Sequence, residues 1–585
     1  MDNNTDTVEK FCQRELDYLI VGAGVSGLIL ASRLSENPSI RVGVLEAGEL
    51  YTDKSAFVVT PTGFHMMLDL KYEWNFKTEP QYGGGDSGSD MIHGKLVGGS
   101  SCLNHGLFLR GSPLEYNDWE TLGNPGWNWR GLAPYFKRVE AFLPFEENQK
   151  TVAIDDTTKY SKIWRQAWLE TGASETGISS GRPMGVHSAE PIADSISGVR
   201  ANVFETYYRP IMTRSNLYLL PNALVKSVIF RDGENGKLVA TGVQFKSQDR
   251  DYTCSANLEV IICCGTMMSP GILERSGIGS KSILDEFGIK TIVHNTRVGE
   301  NLQDHSYSYA MVEFKDEPLD EAFDKLGIDE TEEKKREWRR AIRPMDKKLS
   351  TFLTFEQASM GRVEAPDLID MDIIRRTPLL RKQYELMIRR IENPQIACYH
   401  HALIPFNSAE VFRRPYRERM NDFGGIIYSL STPFSRGFVH IQSADPAKRP
   451  CIDPMYFEHP LDLLLLRAAT RITLDFMNAS SFADIVKRPL YPRKKLRTVK
   501  DYDKHAYETC GTFQDTIGTC AMAPREDGGV VDPTLTVYGT TNLRIVDASI
   551  IPLHFSGNTD WTVCAIAERA ADIINDQRLL NEGRL

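Results

Sequence analysis

The chain has 585 residues, a net charge of −10, and apolar and charged fractions of 41% and 25%. These are globular proportions at a length beyond one ordinary domain, and the acidic balance argues against nucleic acid or an anionic membrane as a partner. No stretch reaches the ~18–20 continuous apolar residues of a membrane span, and the polar start Met1-Asp2-Asn3-Asn4-Thr5-Asp6 lacks the basic end and apolar middle of a secretion signal. The expectation is a cytoplasmic protein whose ten cysteines, with no C-x-x-C pair and no Cys/His cluster at ligand spacing, are reduced and hold no metal.

The first predicted unit is the most informative. An apolar run at 18–21 ends in Gly22-Ala23-Gly24-Val25-Ser26-Gly27. An apolar helix pattern follows, and a second apolar run, Val42-Gly43-Val44-Leu45, ends in Glu46-Ala47. This G-x-G-x-x-G between strand and helix predicts a βαβ unit over 13–48. Gly22 permits the tight turn, Gly24 lets backbone approach a pyrophosphate at the helix's positive end, and Gly27 lets helix and strand pack closely. Glu46, at the second strand's end, is placed to take both hydroxyls of a ribose and to repel a 2′-phosphate. The unit predicts a bound adenine dinucleotide.

Residues 72–132 are rich in Gly, Trp, Asn and Pro and read as an ordered loop region. Its centre, His93-Gly94-Lys95-Leu96-Val97-Gly98-Gly99-Ser100-Ser101-Cys102-Leu103-Asn104, has small residues that let backbone approach a flat or charged group. Alternation at 217–225 and 238–245, around Asp232-Gly233-Glu234-Asn235-Gly236, predicts paired strands. A buried strand at 258–265 runs toward Ser269-Pro270-Gly271, where it stops and a helix can start. Residues 315–350 are heavily charged, and Glu332-Glu333-Lys334-Lys335-Arg336-Glu337 reads as an exposed helix. Residues 350–500 mix strands and helices. A strand is expected at 543–547, then a helix over about 561–575 with Val563, Ile566, Ala567, Ala570, Ala571 and Ile574 on one face.

Five motifs stand in a particular order: the first unit; Gly98-Gly99-Ser100-Ser101; Gly265-Thr266-Met267-Met268-Ser269-Pro270; Gly518-Thr519-Cys520-Ala521-Met522; and Val531-Asp532-Pro533 with Leu543-Arg544-Ile545-Val546-Asp547-Ala548-Ser549. In that order the chain resembles the glucose–methanol–choline (GMC) oxidoreductases over essentially its whole length. The resemblance implies an α/β fold with a Rossmann-like FAD-binding domain assembled from 13–48, 72–132, 215–305 and 520–585. It implies an α+β substrate domain, with a mixed or antiparallel sheet, from 133–214 and 306–519. The FAD pyrophosphate would lie over Gly22, Gly24 and Gly27 with Ser26 close by, and the ribose at Glu46 and Ala47. The loop from Val97 through Ser101 to Asn104 would run along the flavin, with Asn104 near the ring. Val225 would meet the adenine, Asp547 and Ala548 the phosphates and ribityl chain, and Thr559 would also touch the cofactor. Some relatives bind flavin covalently through a loop histidine. That position is about Leu103 here, with His105 two residues on, so non-covalent FAD is expected.

The catalytic positions depart from the family. Typical members carry a histidine three residues before the Gly-Thr pair, which takes the alcohol proton. Here Thr512-Phe513-Gln514-Asp515-Thr516-Ile517-Gly518-Thr519 places Asp515 there. The second position, usually Asn or His, is Asp560 in Ser556-Gly557-Asn558-Thr559-Asp560. Imidazole titrates near ~6.5 and a carboxylate near ~4, so a carboxylate is the weaker base unless burial raises it. Two carboxylates in a dry pocket can share a proton and supply one acid and one base.

Three readings follow. The preferred one is an FAD-dependent oxidoreductase acting on a small, mostly apolar alcohol, enol or activated C–H substrate, with Asp515 as base and Asp560 as its orienting or proton-sharing partner. The alternative is a non-redox lyase, cyclase or dehydratase of secondary metabolism that uses the same pair as acid and base. The third is a silent protein that keeps FAD structurally. Asp515 also reads as a carboxylate capping a neighbouring helix or turn. His554, six residues before Asp560, is a candidate to project into the same cavity, with a backbone-bonded buried histidine as the other reading. Gln514 is a candidate donor to flavin or substrate. Trp74, Trp119, Trp127 and Trp129 read as packing.

Overall fold

Beyond Asp17, the opening strand, Leu16–Val21, is apolar because parallel neighbours flank it on both edges. Ile20 faces Val44 of Val42–Leu45 on one side and Ile261 of Arg250–Ile262 on the other. The coordinates are a computed structural model, which describes residues 7–51, 70–81, 88–104, 106, 109–142, 159–175, 185–188, 201–315, 356–360, 377–404 and 423–584. Residues 332–337, expected as an exposed helix within the charged segment, and His105 lie outside them.

The first sheet runs Leu217–Leu220, Val42–Leu45, Leu16–Val21, Arg250–Ile262, and Leu543–Ile545 adds in parallel to the end of that long strand. The start of the same strand pairs antiparallel with Leu238–Ser247, which pairs with Leu224–Asp232. One strand thus joins a parallel sheet to an antiparallel meander, and the class is α/β. The expected single strand at 217–225 is two strands. Pro221 cannot donate a ladder bond, and Asn222, at φ +56°, turns the chain between them.

The helix expected to begin near Pro270 begins at Gly265 and passes through it, over Gly265–Arg275. A proline there deprives the Thr266 carbonyl of its helical donor. The Thr519 hydroxyl supplies the missing bond, at 2.7 Å to Thr266 O. The C-terminal helix, Thr559–Asn581, is longer than expected, and Ile566, Ala567, Ala570, Ala571 and Ile574 are all fully buried. It packs on Val25–Leu34 and is clamped there by Arg33, whose Nε and Nη2 each donate to Glu568 at 2.8 Å.

The second sheet is antiparallel: Val486–Tyr491, Ser306–Phe314, Phe423–Leu430, Tyr399–Ile404, Glu356–Met360 and Gly185–Ser188. Every residue of Ser306–Phe314 is buried, as a central strand covered on both faces requires. Gly511–Thr512 pairs with the start of that strand and delivers residues 513–516 to the site described below. Trp119 and Trp127 are fully buried and donate to Leu553 O and Pro533 O at 2.9 and 2.8 Å, as packing tryptophans do. Among the described residues no helix is long and apolar enough to cross a membrane.

His440 ties helix Gly265–Arg275 to two strands. Its Nδ1 lies 2.7 Å from Glu274 Oε1 and its Nε2 3.2 Å from Glu300 Oε1. Burial alone pulls the ring down, but the bonds and charges of the two carboxylates together raise it to about 9. A folded-state value above the ordinary ~6.5 stabilises in full below ~6.5 and is lost as pH rises through 9. Urea unfolding at pH 6 and pH 9 is therefore expected to show lower stability at pH 9. His440→Ala is expected to cost about 3 kcal/mol at pH 6, by leaving Glu274 buried without its cation, and to flatten this pH dependence. An unchanged slope in the variant contradicts the assignment.

Candidate active site

One cavity of about 250 Å³ gathers residues of the first sheet and of the segment 513–516 that leaves the second. At one end stands the turn after the first strand. Gly22 has φ +100°, and a Cβ there would lie 2.5 Å from Cys263 O. Gly24 caps helix Val25–Leu34 without any side-chain bond, so the first N–H groups of the helix have no cap. Gly99, at φ +55°, comes so close that a Cβ would lie 2.8 Å from Gly24 Cα. Ser26 Oγ is buried with no hydrogen-bond partner among the described residues. A positive helix end, bare backbone on two sides and an unsatisfied hydroxyl fit a pyrophosphate. Gly27 does not line the cavity. A Cβ there would sit 1.9 Å from Gly22 O, so its part is the close packing of helix on strand.

Glu46 stands at the cavity wall beside Ala47. Its Oε2 accepts from Ala23 N–H and its Oε1 from Gly48 N–H, each at 2.8 Å, which fixes the carboxylate and leaves a lone pair on each oxygen for a ligand. Burial pushes it up to about 6. Ala223, Leu224 and Val225 continue this wall. Asp547 and Ala548 also line the cavity, but the Asp547 carboxylate is fully engaged by the protein. It accepts from Gly265 N–H (2.9 Å), Ser269 Oγ (2.6 Å), and Ser549 N–H and Oγ (2.8 and 2.5 Å), locking helix Gly265–Arg275 to the last strand.

Two residues expected along the flavin turn away. Val97 is fully buried, held by its N–H to Glu49 O at 3.0 Å. Ser101 Oγ donates to Gly98 O at 2.7 Å and accepts from Val203 N–H at 3.3 Å. A backbone bond to Glu49 for Val97 and the hydroxyl's own bonds for Ser101 keep both off the cavity lining, which Gly99, Ser100, Leu103 and Asn104 supply instead.

At the other end lie Asp515, Asp560 and Thr559. The Asp515 carboxylate receives four hydrogen bonds. His305 Nδ1 (3.2 Å) and Asn558 Nδ2 (3.1 Å) reach Oδ2; Thr559 N–H (3.2 Å) and Oγ1 (3.3 Å) reach Oδ1. Asp515 thus caps the C-terminal helix across 44 residues of sequence while facing the cavity. Asp560 Oδ2 accepts from Asn104 Nδ2 at 3.0 Å, and Asn104 Oδ1 accepts from Gly106 N–H at 3.0 Å.

His554 does not project into the cavity. It is buried, its Nε2 lies 2.7 Å from Asp515 O, and Phe555 N–H donates to its Nδ1. Burial drives the ring well below its ordinary value, so it is a neutral strut under Asp515. Gln514, at φ +67°, lines the cavity with its amide occupied by backbone, accepting from Ile92 N–H at 3.0 Å and donating to Asp90 O at 3.3 Å.

Three residues were not found by sequence reasoning. His305 stacks on His554 with ring centroids 3.7 Å apart. Asp304 is buried, accepts from Tyr456 OH, and is pushed up to about 6 by burial. His93 lines the cavity 3.3 Å from Thr516 Oγ1, and burial holds it neutral, down at about 4. Asp304 and His305 belong to no motif with recognisable spacing, while His93 opens the small-residue segment 93–104 without a role having been read from it. Trp74 and Phe76, ring planes 3° apart and centroids 5.7 Å apart, form an apolar wall with Phe513.

Comparison with known proteins identifies the family. Residues 16–307 match the N-terminal and residues 433–567 the C-terminal family model of the GMC oxidoreductases, and the chain belongs to that family. Dehydrogenase citC of Monascus ruber is 33% identical, with 97% of each chain covered. The glucose oxidase-like protein fsoC of Humicola fuscoatra is 32% identical, with 95% of each covered. An FAD-dependent oxidoreductase from Chaetomium thermophilum has a similar structure, with a TM-score of 0.81 at 26% identity over 96% of this chain and 100% of that one. The protein is an FAD-dependent oxidoreductase, and FAD is its cofactor.

The approach of Gly99 to Gly24 makes a direct expectation. Gly99→Ala adds a Cβ that collides with Gly24 and strains a left-handed backbone. It is expected to lower FAD occupancy at least ~10-fold, read as the 450 to 280 nm absorbance ratio, with far-UV circular dichroism unchanged. Full flavin content in the variant contradicts the cradle.

Proposed function

We propose that the protein oxidises a small, mostly apolar alcohol or enol whose proton is more acidic than that of a simple alkanol. The observation carrying this reading is that one cavity joins the phosphate cradle at Gly24 to the carboxylates Asp515 and Asp560. Bound FAD supplies the two-electron acceptor for such an oxidation. Gly22, Gly24, Ser26 and Glu46 would hold its nucleotide half, and Asn104 and Thr559 stand toward the other end. Leu103, where some relatives carry the linking histidine, supports non-covalent binding.

Asp515 replaces the usual imidazole as the group that takes the substrate proton. A carboxylate begins as a weaker base than imidazole, near ~4 against ~6.5. Its four donors fill its lone pairs, so it takes a proton only by releasing one of them, the longest being Thr559 Oγ1 at 3.3 Å, and this suits it to a proton that leaves readily. Asp560, held by Asn104, orients the substrate hydroxyl from the second side. Trp74, Phe76 and Phe513 exclude water and favour a flat or apolar body. A second reading, non-redox acid–base chemistry such as elimination or ring closure, is favoured by the same two carboxylates lining one cavity.

Anaerobic mixing with allylic and benzylic alcohols separates the two readings. The oxidation predicts bleaching of the oxidised-flavin band, slowed ~10²–10⁴-fold in Asp515→Asn. Product formed without bleaching and without oxygen dependence supports the second reading. Bleaching that is unaffected by Asp515→Asn removes Asp515 as the base.

A further inference from the structure

A second cavity, of about 200 Å³, shares no lining residue with the first. It lies among strand Glu300–Leu302, helix Pro378–Glu392, the segment 435–438 and the turn at Asp527-Gly528. Two arginines line it, Arg297 and Arg436.

Neither makes an ion pair, although the buried Asp462 carboxylate acts on Arg436 through its charge. Arg436 donates only to neutral acceptors: Pro433 O (2.7 Å), Ser435 O (3.0 Å), Gln383 Oε1 (3.2 Å) and the Met387 sulfur (3.3 Å). The Arg297 guanidinium has no hydrogen bond or ion pair among the described residues, and its stem rests against Gly528. Three carboxylates also line the space, and two of them already have cations. Glu300 is bonded to His440 and Asp527 to Lys382, while Glu458 is exposed. Leu379, Leu380 and Phe438 add apolar surface.

Each feature narrows the ligand. Charge taken from water without a counter-charge is costly, and burial pulls Arg436 down to about 10. A planar guanidinium matches the two oxygens of a carboxylate. Three carboxylates in the wall oppose a dianion such as phosphate, and the apolar side calls for an apolar body. We propose that this cavity binds a small organic monoanion, with its carboxylate on Arg297 and Arg436 and its apolar body against Leu379, Leu380 and Phe438. Arg436 is wired inward, because Gln383, which it holds, donates to Asn301 Oδ1 at 3.1 Å and to Pro552 O at 2.6 Å.

Titration calorimetry on the FAD-loaded full chain tests the site, with sodium benzoate as probe in low-chloride buffer and benzamide as its neutral counterpart. Arg297→Gln removes the charge and keeps the stem, so it leaves the packing on Gly528. The expected result is saturable benzoate binding, no matching benzamide binding, a loss of at least ~10-fold in affinity in Arg297→Gln, and partial recovery in Arg297→Lys. The proposal is overturned if benzoate binds equally well to wild type and Arg297→Gln, or if wild type gives no heat up to about 10 mM benzoate. Flavin absorbance followed in the same titration separates benzoate at the flavin cavity. A single site that perturbs the flavin and survives Arg297→Gln also overturns the proposal.

Discussion

The first turn of helix Val25–Leu34 presents N–H groups that no side chain caps, and it does so at a bare glycine. A helix end of this kind carries partial positive charge and satisfies itself only with water or an anion. Much of the surrounding structure preserves that opening. Gly99 brings a second side-chain-free backbone against Gly24. Gly27 lets the helix sit down on the strand that aims it. Glu46 and Asp547 spend hydrogen bonds on neighbouring backbone N–H groups, which holds the rims of the cradle at fixed spacing.

Asp515 links this cradle to the rest of the chain. It arrives from the second sheet, through Gly511–Thr512, and caps the C-terminal helix, which packs on Val25–Leu34. Its backbone carbonyl rests on His554 and its carboxylate on His305, two rings stacked together. The two readings of this residue, cap and active-site acid, therefore describe one side chain. A carboxylate does here what an imbalance of charge at a helix N-terminus favours, and it keeps an edge on the cavity. The usual histidine at this position has fewer acceptor sites with which to serve both ends.

The parts legible in the sequence were those coded by adjacent residues. The turn at Gly22 to Gly27, the acid at Glu46 and the amphipathic face of the last helix each follow from spacing within one element. What escaped was set by partners far apart in the chain. Pro270 stays inside its helix because Thr519, 249 residues later, takes the freed carbonyl's bond. His305 meets Asp515 across 210 positions, and no local pattern marks it. Val97 is held by a backbone bond to Glu49 and Ser101 by its hydroxyl's bonds to Gly98 and Val203, partners that no local pattern marks. The break at Pro221 and Asn222 was visible as composition, but the alternation on either side of it was the stronger signal.

If the cradle acts through phosphate, the adenosine diphosphate half of FAD carries the anchoring. Displacement of FAD from the holoenzyme by ADP and by riboflavin, followed through flavin fluorescence, measures this directly. ADP is expected to release FAD and riboflavin to leave it in place. Release by riboflavin, with no effect of ADP, would contradict a site organised around the first turn of that helix.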